Sequence, residues 1–362
     1  MSPAAKKRVL IVDDAVVVRK TLADAVCHDP GLEVAGTASN GRLALAKFPL
    51  LKPDIILLDI EMPEMDGLET VRELRKLDRR VPIIMFSTLT EHGAAATLEA
   101  LALGATDYVT KPSNTYMAET VETVSHDLIP RIRALCHLPE VAGAAAGPEL
   151  PAKPVIRTAA KPRLLTPAHV VAIGVSTGGP DALARLLPTL PANLSVPVVI
   201  AQHMPAIFTT LLAERLAAKS PLPVRECKSG EALAPGRVYI APGDFHMVVC
   251  NNEDGVCLRT HQGPKENYCR PSVDVLFRSV ASVYGGKTLA VILTGMGSDG
   301  LKGCEILGEL GARVVVQDEA TSVVWGMPGF VARRGLADKI LPLEQIGPEI
   351  ARATTLQAAA RT

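Results

Sequence analysis

Short β-branched runs alternate with helix-period segments twice along this chain, and that rotation limits its folds more than any other feature. From Arg8 to about Leu135 the runs are RVLIVDD, LEVAGTA, PDIILLD, PIIMFST and TDYVTKP, with helical patterns such as AVVVRKTLADAV between them. Strand, helix and strand in strict rotation predict a parallel sheet covered by helices on both faces. From Ala168 the alternation resumes with VVAIGV, VPVVIAQ, RVYIAPG, MVVC, TLAVILTG and ARVVVQ. The runs at 170–175, 196–202 and 288–295 are continuously apolar, as strands buried on both faces are. MVVCNNEDGVCLRT reads as a hairpin, because NNEDG supplies turn residues between two strand-like runs.

Between the two halves lies HLPEVAGAAAGPELPAKPVIRTAAKPRLLTP, rich in Ala, Pro and Gly and without apolar periodicity. Such a segment buries too little surface to offset its ordering entropy and reads as a linker. The expected organisation is therefore a first domain over residues 1–135, a linker over 136–167 and a second domain over 168–362. Each domain is expected to be a doubly wound parallel α/β sheet, flavodoxin-like in the first and Rossmann-like with a small antiparallel hairpin in the second. A chain of 362 residues with 48% hydrophobic content is long enough for two such cores.

Charge narrows the function. Lys plus Arg and Asp plus Glu number 38 each, so no net field favours nucleic acid or an anionic membrane. The apolar stretch near the start is cut after Val12 by two aspartates, and no run reaches the ~18 residues of a membrane span. Seven scattered cysteines without a CxxC pair fit reduced thiols better than a disulfide frame or a zinc site. A cytoplasmic protein is expected.

In the first half, Asp13 and Asp14 end the first strand, Asp59 the third, Ser87 and Thr88 the fourth, and Lys111 the fifth. In a doubly wound sheet these strand ends share the edge where ligands bind. Hard carboxylate oxygens at that density suit Mg2+, and with Lys111 neutralising a phosphoryl group one aspartate, best Asp59, could attack it to form an acyl phosphate. Each aspartate alone could instead cap a helix. Taken whole, this half resembles the receiver domain of bacterial response regulators, in its DD pair, its LLDIEMPEMDGL loop and its KP pair. The resemblance implies Asp59 as phosphoacceptor, Asp14 and Asp13 as metal carboxylates, the Glu61 carbonyl as a further ligand and Lys111 on the phosphate. It also implies Ser87 and Tyr108 as the switch pair and a histidine kinase as phosphodonor.

In the second half GVSTG, Gly174 to Gly178, follows a strand and precedes the helical pattern PDALARLLPTL, the context of a nucleophile elbow at Ser176. A Gly/Ser turn that binds phosphate or only closes the chain is the plainer reading, and Pro180 argues against a Walker A loop. Of His169, His203, His246 and His261, His203 directly follows VPVVIAQ and so emerges at the same sheet edge as Ser176. The end of His246 is left open. TLAVILTGMGSDG ends in a loop carrying Asp299, which would also serve as a helix N-cap. Chain order Ser, His, Asp is not that of a standard α/β-hydrolase.

GVSTGG, AQHMP, IAPGDFHM, RPSVDVLFRS, ILTGMGSDG and SVVWGMPG together resemble the catalytic domain of the chemotaxis protein-glutamate methylesterases, the CheB family. With the receiver, the likeness covers nearly the whole chain except the linker. It implies Ser176 as nucleophile, His203 as general base and then acid, Asp299 as the group orienting the imidazole, and the amides of Thr177 and Met296 as oxyanion donors. It implies hydrolysis of glutamate γ-methyl esters on the cytoplasmic helices of chemoreceptors, the methyl-accepting chemotaxis proteins, with no cofactor for that step. Some family members also deamidate glutamines by the same route. The two-domain order leads to the expectation that phosphorylation of Asp59 loosens a contact of the receiver over the Ser176 face. Competing expectations are a dedicated glutamine deamidase and a non-catalytic output module; no basic recognition helix follows the linker to support DNA binding.

Overall fold

The computed structural model describes residues 5–111, 117–139 and 166–355. They fall into two compact units, within Met1–Gly147 and Pro148–Thr362. The segment read as a linker lies largely outside the described residues, as does Pro112 of the KP pair.

The first unit runs β1 (Lys7–Val12), α1 (Val16–Cys27), β2 (Leu32–Ala38), α2 (Gly41–Leu51), β3 (Ile55–Asp59), α3 (Gly67–Leu77), β4 (Ile83–Ser87), α4 (Glu91–Ala102), β5 (Asp107–Thr110) and α5 (Met117–Leu135). Its five strands are parallel in the order β2-β1-β3-β4-β5. Every residue of β3 and β4 is buried, which is why these runs are apolar without alternation. The order reverses direction between β1 and β3, so the crevice of this sheet opens at their C-terminal ends.

The second unit begins with β6 (Val170–Val175), α6 (Gly179–Leu186), β7 (Val198–Gln202), α7 (Ala206–Ala217), β8 (Val224–Glu226) and β9 (Val238–Ile240). A hairpin follows, β10 (His246–Asn252) and β11 (Gly255–His261), and then α8 (Val273–Tyr284), β12 (Thr288–Ile292), α9 (Leu301–Glu309), β13 (Arg313–Gln317), α10 (Met327–Arg333), β14 (Lys339–Leu341) and α11 (Leu343–Thr354). Seven parallel strands are ordered β14-β13-β12-β6-β7-β9-β8, with β10 and β11 antiparallel in a sheet of their own. Strands β6, β7 and β12, the three continuous apolar runs, form its fully buried centre. β8 and β14 have three residues each and carry no periodicity that a sequence could betray. Here the order reverses between β6 and β12, so the ligand crevice lies where the loops after them emerge.

Candidate active site and acidic cluster

At the first crevice, β1 delivers Asp13 and Asp14 and β3 delivers Asp59; one carboxylate oxygen from each lies within 4.8 Å of the others. Asp13 and Asp59 are buried and Asp14 is exposed. Lys111 Nζ lies 2.7 Å from Asp59 Oδ1 and 3.2 Å from Asp13 Oδ2, and its backbone N–H donates to the Ser87 carbonyl at 2.6 Å. Burial pushes the Asp59 carboxyl up, Lys111 draws it back and Asp13 pushes it further, leaving it at about 6. Asp13 Oδ2 is buried with the Lys111 ammonium 3.2 Å away and no well-aligned hydrogen bond among the described residues. Three crowded carboxylates that share a single lysine are what a hard divalent cation would satisfy. None of the three caps the helix that follows: the cap residue of α1 is Ala15, and that of α3 is Asp66. Glu61 lies exposed in the loop after Asp59. The Ser87 hydroxyl is turned toward α4, donating to the Gly93 carbonyl at 3.1 Å and accepting from Thr97 Oγ1 at 2.7 Å. Tyr108 is buried on β5, and burial drives its phenol above the ordinary value.

At the second crevice, Val175 pairs with Gln202 across β6 and β7, so Ser176 and His203 leave adjacent parallel strands side by side. The His203 N–H donates to the Val175 carbonyl at 3.2 Å, and Gln202 Nε2 donates to the carbonyls of Ser176 at 3.1 Å and His203 at 3.2 Å. This one buried glutamine ties the two strand ends together. Across the crevice His203 Nε2 lies 2.8 Å from Asp299 Oδ2. The imidazole is 12% exposed and the carboxylate 3%, so their attraction is little screened.

The Asp299 carboxylate is held by more than the imidazole. Oδ1 accepts from Ser272 Oγ, Asn267 Nδ2 and the backbone N–H groups of Asp274 and Gly300, and Oδ2 accepts from the N–H of Val273 at 2.7 Å. It thus serves the first turn of α8, a neighbour in space, whereas the cap residue of α9 itself is Gly300. Burial pushes this carboxyl up, but His203 and the N–H groups of Val273 and Asp274 outweigh burial and hold it at about 2. Nε2–H of the ring must face a group that stays anionic, which leaves Nδ1 as the nitrogen for proton exchange.

The backbone N–H groups of Thr177 and Met296 donate to no group among the described residues. Met296 follows Gly295, on which Ser176 packs so closely that a Cβ at 295 would lie 2.8 Å from Ser176 Cβ and 3.1 Å from its nitrogen. Met327 Sδ would lie closer still, so Gly295→Ala is expected to shift Met327 and Ser176 and, if Ser176 is a reacting group, to lower kcat about 100-fold, the cost of a ~1 Å misplacement; steady-state kinetics with circular dichroism as a folding control checks it.

The other histidines part from Ser176. His169 precedes β6 and lies at the opposite sheet edge. His246 is buried; its Nδ1 accepts from the Ser272 N–H at 3.2 Å and its Nε2 donates to the Pro264 carbonyl at 2.9 Å, a neutral ring that burial keeps neutral. His261 is exposed and Nδ1 accepts from the Gly263 N–H. Gln202, Asn267, Cys269 and Ser272 surround the site without having been singled out by the sequence; only their positions beside AQH and RPSVD hinted at them.

A family model described as CheB methylesterase matches residues 171–350, and one described as response regulator receiver domain matches residues 9–121. The chain is 49% identical over 349 residues to a protein-glutamate methylesterase/protein-glutamine glutaminase of Trichodesmium erythraeum, spanning 96% of this chain and 99% of that one. It is 52% identical over 350 residues to a protein of the same description from Nocardioides sp., spanning 95% and 94%. The crystal structure of the Thermotoga maritima CheB methylesterase catalytic domain aligns with TM-score 0.50 and 43% identity, covering 52% of this chain and 99% of that one.

Proposed function

The chain belongs to the CheB methylesterase family and is a protein-glutamate methylesterase/protein-glutamine glutaminase with a receiver domain, and from that premise we propose how its residues divide the work. Ser176 Oγ attacks the γ-carbonyl of a methylated glutamate on a chemoreceptor's cytoplasmic segment, forming a C–O bond, while His203 Nδ1 takes the hydroxyl proton. The resulting oxyanion is bound by the N–H groups of Thr177 and Met296, each donor of this kind being worth ~3 kcal/mol in the transition state. The C–O bond to methyl oxide breaks, His203 returns the proton, and methanol leaves. Water then gives its proton to His203 and attacks the acyl carbon, the ester bond to Ser176 breaks as His203 passes that proton to Ser176 Oγ, and the glutamic acid so formed ionises to its carboxylate. A glutamine amide follows the same course with ammonia as leaving group. The observation that carries this reading is the 2.8 Å bond from His203 to a buried carboxylate, at the strand end registered beside Ser176.

In the receiver, Asp13, Asp14 and Asp59 with the Glu61 carbonyl would hold Mg2+, which supplies charge neutralisation at the phosphoryl oxygens. Asp59 is the phosphoacceptor of a histidine kinase, Lys111 pairs with the phosphoryl group, and Ser87 and Tyr108 respond to it. The domain limits follow the sequence reading: receiver to residue 135, linker over 136–167, esterase from 168. No described helix is long and apolar enough to cross a membrane; we place the reaction in the cytoplasm, without nucleic acid and without a cofactor in the ester step.

Methanol release from methylated receptor tests the reaction. Peptide masses separate loss of a methyl from an ester from conversion of an amide to an acid. Adding a small-molecule phosphodonor with Mg2+ is expected to raise the rate about tenfold, within the range of two-site couplings, and Asp59→Asn is expected to remove that response. Equal rates with Asp59 shown to be phosphorylated would exclude the regulatory link.

A further inference from the structure

His203 presents one nitrogen to Asp299, and its other nitrogen is also engaged. Nδ1 lies 3.4 Å from Cys269 Sγ, whereas no hydrogen bond joins Ser176 Oγ to the ring among the described residues. The thiol therefore sits where the hydroxyl of the proposed nucleophile must act. One proton lies between sulfur and nitrogen; whichever atom holds it, Nδ1 is unavailable to Ser176.

Cys269 is placed there by a short, tightly held loop. The backbones of Glu266 and Cys269 bond each other in both directions, at 2.9 and 3.1 Å. The Glu266 carboxylate receives two 2.6 Å bonds from the Arg278 guanidinium on α8. Between them Asn267 and Tyr268 are both left-handed, with φ of 52° and 62°, a conformation that residues other than glycine rarely adopt in succession. Strain of this kind persists only where the surroundings impose it. Its result is that Asn267 donates to Asp299 Oδ1 at 2.8 Å and to Asp274 Oδ2 at 2.9 Å while Cys269 meets the other end of the imidazole. The loop thus grips the His203–Asp299 pair at both ends.

We propose that Cys269 is a positioning residue that holds His203 in a resting state through Nδ1, and that each turnover requires this contact to be exchanged for one with the Ser176 hydroxyl. The inference rests on the reading of Ser176 and His203 as nucleophile and base. Substrate seated in the crevice would favour the exchange, because water is then excluded from Ser176 and its hydroxyl has the imidazole as its acceptor. A thiol suits such a contact: sulfur holds the ring in place, yet its hydrogen bonds are weak enough to be given up.

The test uses the full chain and methylated receptor. Cys269→Ala is expected to raise kcat about two- to fivefold, the range a weak hydrogen bond commands, with an unchanged melting temperature. Cys269→Ser keeps a donor in that place and is expected to return kcat to within about twofold of wild type. In nitrogen-15 spectra of histidine-labelled protein, the Nδ1 resonance of His203 is expected to move in Cys269→Ala and to return toward its wild-type place in Cys269→Ser. An alanine variant at or below the wild-type rate, a serine variant as fast as the alanine one, or an unmoved Nδ1 resonance overturns the proposal. Retained activity in Ser176→Ala would instead overturn the reading beneath it, and the Nδ1 resonance decides the Cys269 contact even then.

Discussion

Ser176→Ala is expected to abolish methanol release from methylated receptor, lowering kcat by about 10⁴- to 10⁶-fold, while phosphoryl transfer to Asp59 continues at the wild-type rate. The size follows from the route: without Oγ no acyl-enzyme forms, and the remaining groups can only orient water against the ester. The fold should not suffer. Ser176 is half-buried, and the bonds that hold it run through its backbone, from its N–H to the Thr294 carbonyl at 3.0 Å and to its own carbonyl from Gln202 and the Gly179 N–H. Single-turnover methanol assays beside labelling of Asp59 check both halves of the expectation. Hydrolysis surviving above a hundredth of the wild-type rate would remove Ser176 from the reaction.

The second large effect is expected at Asp299. Asp299→Asn should lower kcat by about 10³- to 10⁴-fold, as exchange of a carboxylate for an amide does where the carboxylate orients a catalytic imidazole. Here the cause can be followed atom by atom. Oδ2 accepts from Val273 N–H and faces His203 Nε2, and Oδ1 accepts from four further donors, so an amide NH2 placed in either position meets N–H or O–H groups that have lost their acceptor. The ring would be freed from its tautomer and α8 would lose the anion at its first turn, so a lower melting temperature should accompany the loss of rate. The pH profile carries a sign as well. Burial lowers the affinity of His203 for a proton, but Cys269 and the Asp299 carboxylate outweigh burial and raise it above the ordinary histidine value. A base with a raised pKa loses activity as the pH falls through that raised value; with the carboxylate gone, the acid limb of the residual activity is expected to move to lower pH. Rates from pH 6 to 11, a range that spans a His203 pKa raised to about 10, with stability measured in parallel would show this, and an acid limb that stays in place would exclude Asp299 as the partner of the base.

The candidate site residues and the two sheet crevices arise from features of different legibility. Apolar runs such as VVAIGV and TLAVILTG announce strands buried on both faces, and both crevices then follow from where the ends of parallel strands must lie. His203 could be preferred over His246 on that ground alone, since it directly follows a strand, whereas the role of His246 emerges only from its bonds to Ser272 and Pro264. The second reading of Asp299, as a helix cap, had the right chemistry but the wrong helix: it serves α8, whose first turn arrives from 26 residues earlier in the chain. Nothing local to residue 299 encodes that encounter.

The order of residues along the chain by itself determined the alternating strands and helices, the parallel sheets and the strand ends that carry Asp13, Asp59, Ser176, His203 and Asp299, because apolar periodicity and turn residues act over a few neighbours. Tertiary structure alone decided which donors hold the Asp299 carboxylate ionised, which nitrogen of His203 faces it and that Cys269 meets the other. Those contacts join segments 25 to 96 residues apart, and their strength depends on burial and angle, quantities that exist only once the chain has closed on itself.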